Sequence, residues 1–178
     1  YEALCAFTEA VAAAGCDALI VHARKAWLKG LSPRENREVP PLLYDLVQRL
    51  KGDFPGLPVV INGGITDLQQ AKAFLERLDG VMIGRAAYHD PWVLADADRE
   101  IFGRRAPKPD RQEVLEAFVA YAGAEQAAGV PLQAMARHLL GLFHGEPGAR
   151  RWRRMISENL HRSDATAALL LQAVPGRP

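Results

Sequence analysis

Two hydrophobic periods alternate along the first two-thirds of this chain. Leu4, Phe7 and Val11 recur at helical spacing and predict a helix over residues 3–14, closed by Gly15. The run Asp17-Ala18-Leu19-Ile20-Val21-His22 follows as a buried strand. A long polar loop, residues 24–41, carries Lys25, Lys29, Arg34 and Arg37. Leu42, Leu46, Val47 and Leu50 then return to a 3.6-residue period and predict a second helix. Next comes Val59-Val60-Ile61, which stops at Asn62-Gly63-Gly64-Ile65, and later Val81-Met82-Ile83, which stops at Gly84-Arg85. Between them Asp67 to Leu78 is patterned as a helix, with Thr66 or Asp67 as its N-cap. Apolar runs bounded by glycine suit strands buried on both faces, and strand–helix–strand order implies parallel pairing.

The pattern changes after residue 103. Residues 104–111, with Pro107 and Pro109 among charges, read as a linker, and every later segment is helical in period. One helix is expected from Gln112 to Ala128, with Leu115, Phe118 and Val119 on one face and Gly129-Val130-Pro131 ending it. A second is expected over Leu132 to Phe143 and a third over Ala149 to His161. A fourth should begin near Ser163, ahead of Ala167, Leu170, Leu171 and Val174. Short connections favour antiparallel neighbours, hence a small bundle. The expected class is therefore α/β followed by all-α, with domains at 1–103 and 112–178.

The β/α part suits a doubly wound sheet or a (β/α)8 barrel. Barrels place their sites at strand carboxyl ends, where His22, Asn62 and Gly84-Arg85 fall. A barrel takes roughly 250 residues, and about three β/α units cannot close one. The chain also opens at Tyr1 within a helical pattern, so it reads as the C-terminal part of an incomplete barrel and a piece of something longer.

Composition narrows the chemistry. A 178-residue chain with 49% hydrophobic and 24% charged residues is that of a soluble globular protein, and no apolar run reaches membrane-span length. A cytoplasmic location and no membrane partner are expected. Net charge is +1, yet the cations are 17 Arg and 5 Lys, which favours planar, bidentate recognition of phosphate or carboxylate. Cys5 and Cys16 lack zinc-ligand or redox spacing and read as free thiols. No nucleophile–base–orienter set, metal cluster or Walker loop is present, so neither hydrolysis nor a metal is expected.

Two features carry candidate chemistry. Glycine at a strand's carboxyl end lets a backbone N–H approach a ligand closely. The endings Asn62-Gly63-Gly64 and Gly84-Arg85 thus resemble a phosphate grip, with Arg85 adding a charge-assisted contact and His22 in line beside them. The competing reading is a pair of tight turns and a structural histidine. Secondly, at 100° per residue Arg150, Arg153 and Arg154 fall within an arc of about 100°, with His161 on the same side and Trp152, Met155 and Ile156 opposite. Acidic residues are nearly absent between Glu146 and Glu158, and one-sign patches of this kind bind phosphate backbones.

The runs Val21-His22-Ala23-Arg24-Lys25-Ala26-Trp27-Leu28-Lys29-Gly30-Leu31-Ser32-Pro33, Ile61-Asn62-Gly63-Gly64-Ile65 and Asp79-Gly80-Val81-Met82-Ile83-Gly84-Arg85-Ala86-Ala87-Tyr88 resemble the tRNA-dihydrouridine synthases, most closely the bacterial A subfamily. The likeness continues through Leu140-Gly141-Leu142-Phe143-His144-Gly145 and the Arg-rich segment. It implies an FMN-dependent TIM barrel followed by a helical tRNA-binding domain, reducing uridine in the tRNA D-loop with NADPH as the electron source. It further implies FMN contacts at His22, Asn62, Gly63, Gly64, Gly84 and Arg85, and tRNA contacts at Arg34, Arg37, Arg150 and Arg153. The family's proton-donor cysteine is expected upstream of Tyr1, so no catalytic residue is expected in this chain, and the chain alone is expected to be an inactive monomer. Two alternatives stay open: another flavin or phosphate-binding barrel acting on a small molecule, and a non-catalytic RNA-binding module. The cationic Arg150–Arg154 face argues against the former.

Overall fold

The computed structural model describes residues 1–27, 29–105, 107–162 and 164–175. Their contacts divide the chain into two compact units, Tyr1–Arg85 and Ala86–Pro178. The first unit is α/β. Helix α1 (Glu2–Ala13) ends where the sequence requires, because Gly15 takes φ +89° and the N–H groups of Gly15 and Cys16 return to the carbonyls of Ala12 and Val11. That reciprocal pair is a Schellman closure, which a left-handed glycine makes at little cost. Helix α1 buries Thr8, whose hydroxyl donates to the Leu4 carbonyl at 2.9 Å, whereas Phe7 is left exposed.

Strands β1 (Leu19–His22), β2 (Val59–Asn62) and β3 (Gly80–Met82) form one parallel sheet in the order β1-β2-β3. Helices α2 (Tyr44–Asp53) and α3 (Leu68–Leu75) lie in the two crossovers. Asp67 caps α3, its carboxylate accepting the Gln70 N–H at 2.8 Å. The expectation of strands buried on both faces holds for one face of the sheet, where Val59 and Ile61 are wholly enclosed, but not for the other, where Val60 is half-buried and Met82 of β3 is exposed. On that second face Ile20 of β1 is 53% exposed, because among the described residues nothing covers it. Val47, Val59, Ile61, Ile65 and Leu78 make the core, with Tyr44 and Phe74 packed on it, their ring centroids 4.7 Å apart.

One polar pin holds this unit at the amino ends of β2 and β3. The Asp79 carboxylate accepts the Val59 N–H at 2.8 Å and the Lys51 ammonium at 2.9 Å. Lys51 also donates to the carbonyls of Pro55 and Leu57, at 2.8 and 3.1 Å. The Val59 N–H, then Lys51, hold the Asp79 carboxyl below its ordinary range. A carboxyl depressed on folding contributes stability above its unfolded pKa and loses it as pH falls through the folded value. Asp79→Asn should therefore lower stability by about 1 kcal/mol at neutral pH, the pair being partly solvent-screened. It should cost progressively less in acid, below about pH 4. Urea midpoints at neutral and acid pH check this, and an equal loss at both would count against it.

The second unit is helical. It contains α4 (Arg85–His89, whose first residue belongs to the first unit), α5 (Ala97–Glu100), α6 (Arg111–Ala127), α7 (Leu132–Ala136), α8 (Ala149–Asn159) and α9 (Leu169–Gln172). Asp110 caps α6 by accepting the N–H groups of Gln112 and Glu113, and Gly129 at φ +93° closes it in the same way as Gly15 closes α1. Its expected face holds: Leu115 is fully buried, with Phe118 and Val119 packed on the core. Trp152, Ile156, Leu115 and Leu170 form the centre of that core.

The single helix expected over 132–143 is instead broken. Helix α7 ends at Ala136, a 3-10 turn covers Arg137–Leu139, and i→i+3 bonds join Leu142 to Leu139 and His144 to Gly141. The Trp152 indole captures a carbonyl the expected α-helix would use, donating to Leu139 at 3.1 Å, and Arg111 Nε donates to Leu142 at its end, at 3.0 Å. Gly141 sits so close to the His89 carbonyl that a Cβ there would lie 2.2 Å from its oxygen. The fourth helix is also shorter than expected, and its expected cap, Ser163, lies outside the described residues. Contacts group residues 86–103 with these helices: Trp92 packs on their core, and the Arg111 guanidinium lies 4.4 Å from its ring centroid. Among the described residues, no helix is long and apolar enough to cross a membrane.

Candidate phosphate and nucleic-acid sites

The sheet register places the strand carboxyl ends side by side. His22 pairs with Asn62, and Asn62 with Met82, two residues before Gly84. The Asn62 side-chain amide donates to the Met82 carbonyl at 3.0 Å, extending the β2–β3 pairing past the last backbone bond and leaving its own oxygen as an acceptor. Gly63 and Gly64 follow at φ +117° and +71°. A Cβ on Gly63 would lie 3.1 Å from the His22 ring, and one on Gly64 would lie 2.6 Å from Leu42 Cδ1. Glycine is thus required at both positions by backbone conformation and by crowding. Gly84 is open, since a Cβ there would meet nothing nearer than the Asn62 amide at 3.9 Å.

The His22 imidazole is biased toward its neutral form. Burial, then the positive charges of Arg24 and Arg85, push its imidazole below the ordinary range. Its Nδ1 accepts the Arg24 N–H at 3.2 Å, which assigns the ring proton to Nε2 and leaves a donor there. Arg85 is also engaged: its guanidinium donates to Glu38 Oε1 and to the Arg37 carbonyl, each at 3.0 Å. The strand-end arginine therefore reaches the polar loop, and Glu38 additionally lies 3.7 Å from Arg34.

Sequence reasoning passed over two residues of this cluster. The Tyr44 hydroxyl donates to the Gly63 carbonyl at 2.8 Å and so fixes the Gly-Gly turn, while burial raises its pKa. Arg24 donates through Nη1 to the carbonyls of Pro40 and Glu38. Its Nε is buried and, among the described residues, lacks a hydrogen-bond partner. Arg24 had a signal, since it stands two residues after His22 at a strand end. Tyr44 had none, because its role depends on the turn of α2 against β2.

The remaining site candidates lie elsewhere. Arg34 precedes the 3-10 turn Glu35–Arg37 of the loop and Arg37 ends it, both exposed. In the second unit, Trp152 and Ile156 face the core from α8, while Arg150, Arg153 and Arg154 are exposed on its opposite side. Arg154 comes within 3.9 Å of Glu158, whereas Arg150 and Arg153 have no ionic partner among the described residues. Cys5 and Cys16 are free, and the Cys16 thiol contacts the Ala18 carbonyl at 3.2 Å. Among the described residues, no group of three His, Cys, Asp or Glu is placed to hold a metal.

A strand-end cluster with glycine turns, a histidine biased toward its neutral form, an arginine and an orphaned guanidinium N–H suits an anionic ligand. A family model described as dihydrouridine synthase (Dus) matches residues 1–175. This chain belongs to the dihydrouridine synthase family. The tRNA-dihydrouridine(20/20a) synthase of Salmonella typhi is 52% identical over 175 residues, covering 98% of this chain and 53% of the relative. Enzymes of the same description from Yersinia pestis and Escherichia coli K12 are 50% and 51% identical over the same length, covering 98% of this chain and 51% of each relative. The chain spans about half the length of the curated relatives it matches. The family match takes in both the strand-end cluster and the cationic face of α8.

Proposed function

We propose that this chain is part of an FMN-dependent tRNA-dihydrouridine synthase that reduces uridine to 5,6-dihydrouridine in the tRNA D-loop, at position 20 or 20a, with NADPH as the electron source. The carrying observation is the family match over residues 1–175, which includes the aligned strand ends at His22, Asn62-Gly63-Gly64 and Gly84-Arg85. On this reading residues 1–103 are the C-terminal part of a (β/α)8 barrel, 104–111 a linker and 112–178 a helical tRNA-binding domain, acting in the cytoplasm.

The residues present fit the flavin's phosphate. The buried Arg24 Nε lacks a partner among the described residues, His22 offers Nε2–H, and the open position at Gly84 leaves room for a close approach to the backbone. Bound there, FMN supplies hydride for the C5–C6 bond of the uracil ring. Arg85 would turn one guanidinium edge from Glu38 to the phosphate, and the His22 imidazole, no longer facing cations alone, would bind protons more readily. Arg34, Arg37, Arg150 and Arg153 are assigned to the tRNA backbone. No residue of this chain is assigned the proton-donor role.

Flavin titration tests the site. The protein should bind FMN more tightly than riboflavin, followed by flavin fluorescence, because the phosphate supplies the added contacts. Arg85→Ala should lower FMN affinity about tenfold or more and leave riboflavin unchanged. Equal affinity for the two flavins would overturn the assignment.

A further inference from the structure

The polar loop of the first unit contains an aromatic residue that the proposed function does not yet use. Trp27 is 43% exposed, whereas Trp152 is wholly buried and Trp92 packs on a core. Its backbone is nonetheless held firmly. The Trp27 N–H donates to Asn36 Oδ1 at 2.8 Å, and its carbonyl accepts from Asn36 Nδ2 at 2.9 Å, so one amide side chain clamps both sides of the residue. The Asn36 position is itself set by a reciprocal pair one turn earlier. Ser32 N–H donates to Glu35 Oε2 at 2.8 Å, and Glu35 N–H to Ser32 Oγ at 3.3 Å.

The charges along this loop are one-sided. Residues 24–41 contain five Lys and Arg against two carboxylates. Both carboxylates are committed, Glu35 to Ser32 and Glu38 to Arg85 and Arg34. Lys25, Lys29 and Arg37 have no ionic partner among the described residues. An exposed, backbone-clamped ring on a loop that carries uncommitted cations is the combination that holds unpaired nucleotides: the ring stacks on a base and the cations meet its phosphates.

We infer that Trp27 is a stacking platform for an unpaired base of the RNA, with Asn36 as its positioning residue and Lys25, Lys29 and Arg37 as phosphate contacts. This rests on the reading of the loop as an RNA-facing surface. It adds a preference for single-stranded nucleotides that arginines alone do not confer.

The test uses the intrinsic fluorescence of the protein, titrated with a short oligouridylate and with an RNA duplex of matched phosphate number. The oligouridylate should quench the exposed tryptophan and the duplex should not. Trp27→Phe should abolish the quenching while keeping most of the affinity. Trp27→Ala should weaken oligouridylate binding about tenfold with an unchanged salt slope, because no charge is removed. Quenching that persists in Trp27→Phe, equal quenching by the duplex, or full affinity in Trp27→Ala would each overturn the inference. The underlying reading fails separately, if Arg34→Ala with Arg37→Ala leaves RNA affinity and its salt slope unaltered.

Discussion

Trp152→Ala is expected to destabilise the helical unit by about 3–5 kcal/mol, the largest single effect foreseen for this protein. Trp152 is fully buried at the centre of the second core, with its ring 4.8 Å from that of Phe143 in an edge-on contact. Truncation removes the indole's apolar contacts and leaves a cavity that the surrounding helices can fill only in part. It also strips the Leu139 carbonyl of its indole donor, in the segment where the 132–143 stretch departs from α-helix. Since small domains are stable by about 5–15 kcal/mol, the loss is a large fraction of the whole. Urea unfolding followed by near-ultraviolet circular dichroism would show it. Trp152→Phe should recover part of the loss, and a Trp152→Ala midpoint like that of the parent would refute the assignment.

The largest functional effect is expected from Arg150→Ala combined with Arg153→Ala. Both side chains are exposed on the side of α8 opposite Trp152 and Ile156, and neither has an ionic partner among the described residues. A lysine or arginine contacting phosphate releases counterions, and removing one lowers the slope of log affinity against log salt by about one. The double variant should therefore bind tRNA at least about tenfold more weakly at low salt, with a slope smaller by about two. Helical content and FMN affinity should be unchanged, because the substituted side chains are solvent-facing. Filter binding across a salt series checks this, and an unaltered slope would refute it. Arg154 is the internal contrast, since Glu158 lies within 3.9 Å and its replacement should change the slope less.

Much of the local structure was legible in the sequence because it depends on neighbours along the chain. Gly15 and Gly129 end helices through their own left-handed backbones, and Asp67 caps a helix through an N–H three residues on. The α8 faces follow from 3.6-residue geometry alone, so the exposed arginines and the buried Trp152 could be sorted without coordinates. The break after Ala136 was not legible. Its causes are Arg111 and Trp152, far along the chain, and the approach of Gly141 to His89. The exposure of Ile20 was equally hidden, since a short apolar run does not say whether one face of its sheet or both are covered.

For the candidate phosphate site, the sequence by itself determined the residue types: glycines where the backbone must turn at positive φ, a histidine and an arginine at strand ends. Those choices answer to short-range sterics and charge, which spacing records. The tertiary structure alone decided their partners. Parallel register set His22 beside Asn62, the turn of α2 brought the Tyr44 hydroxyl to the Gly63 carbonyl, and the loop carried Glu38 to Arg85 across 47 residues of sequence. Contacts closed over such separations depend on how elements pack, and no local pattern encodes them.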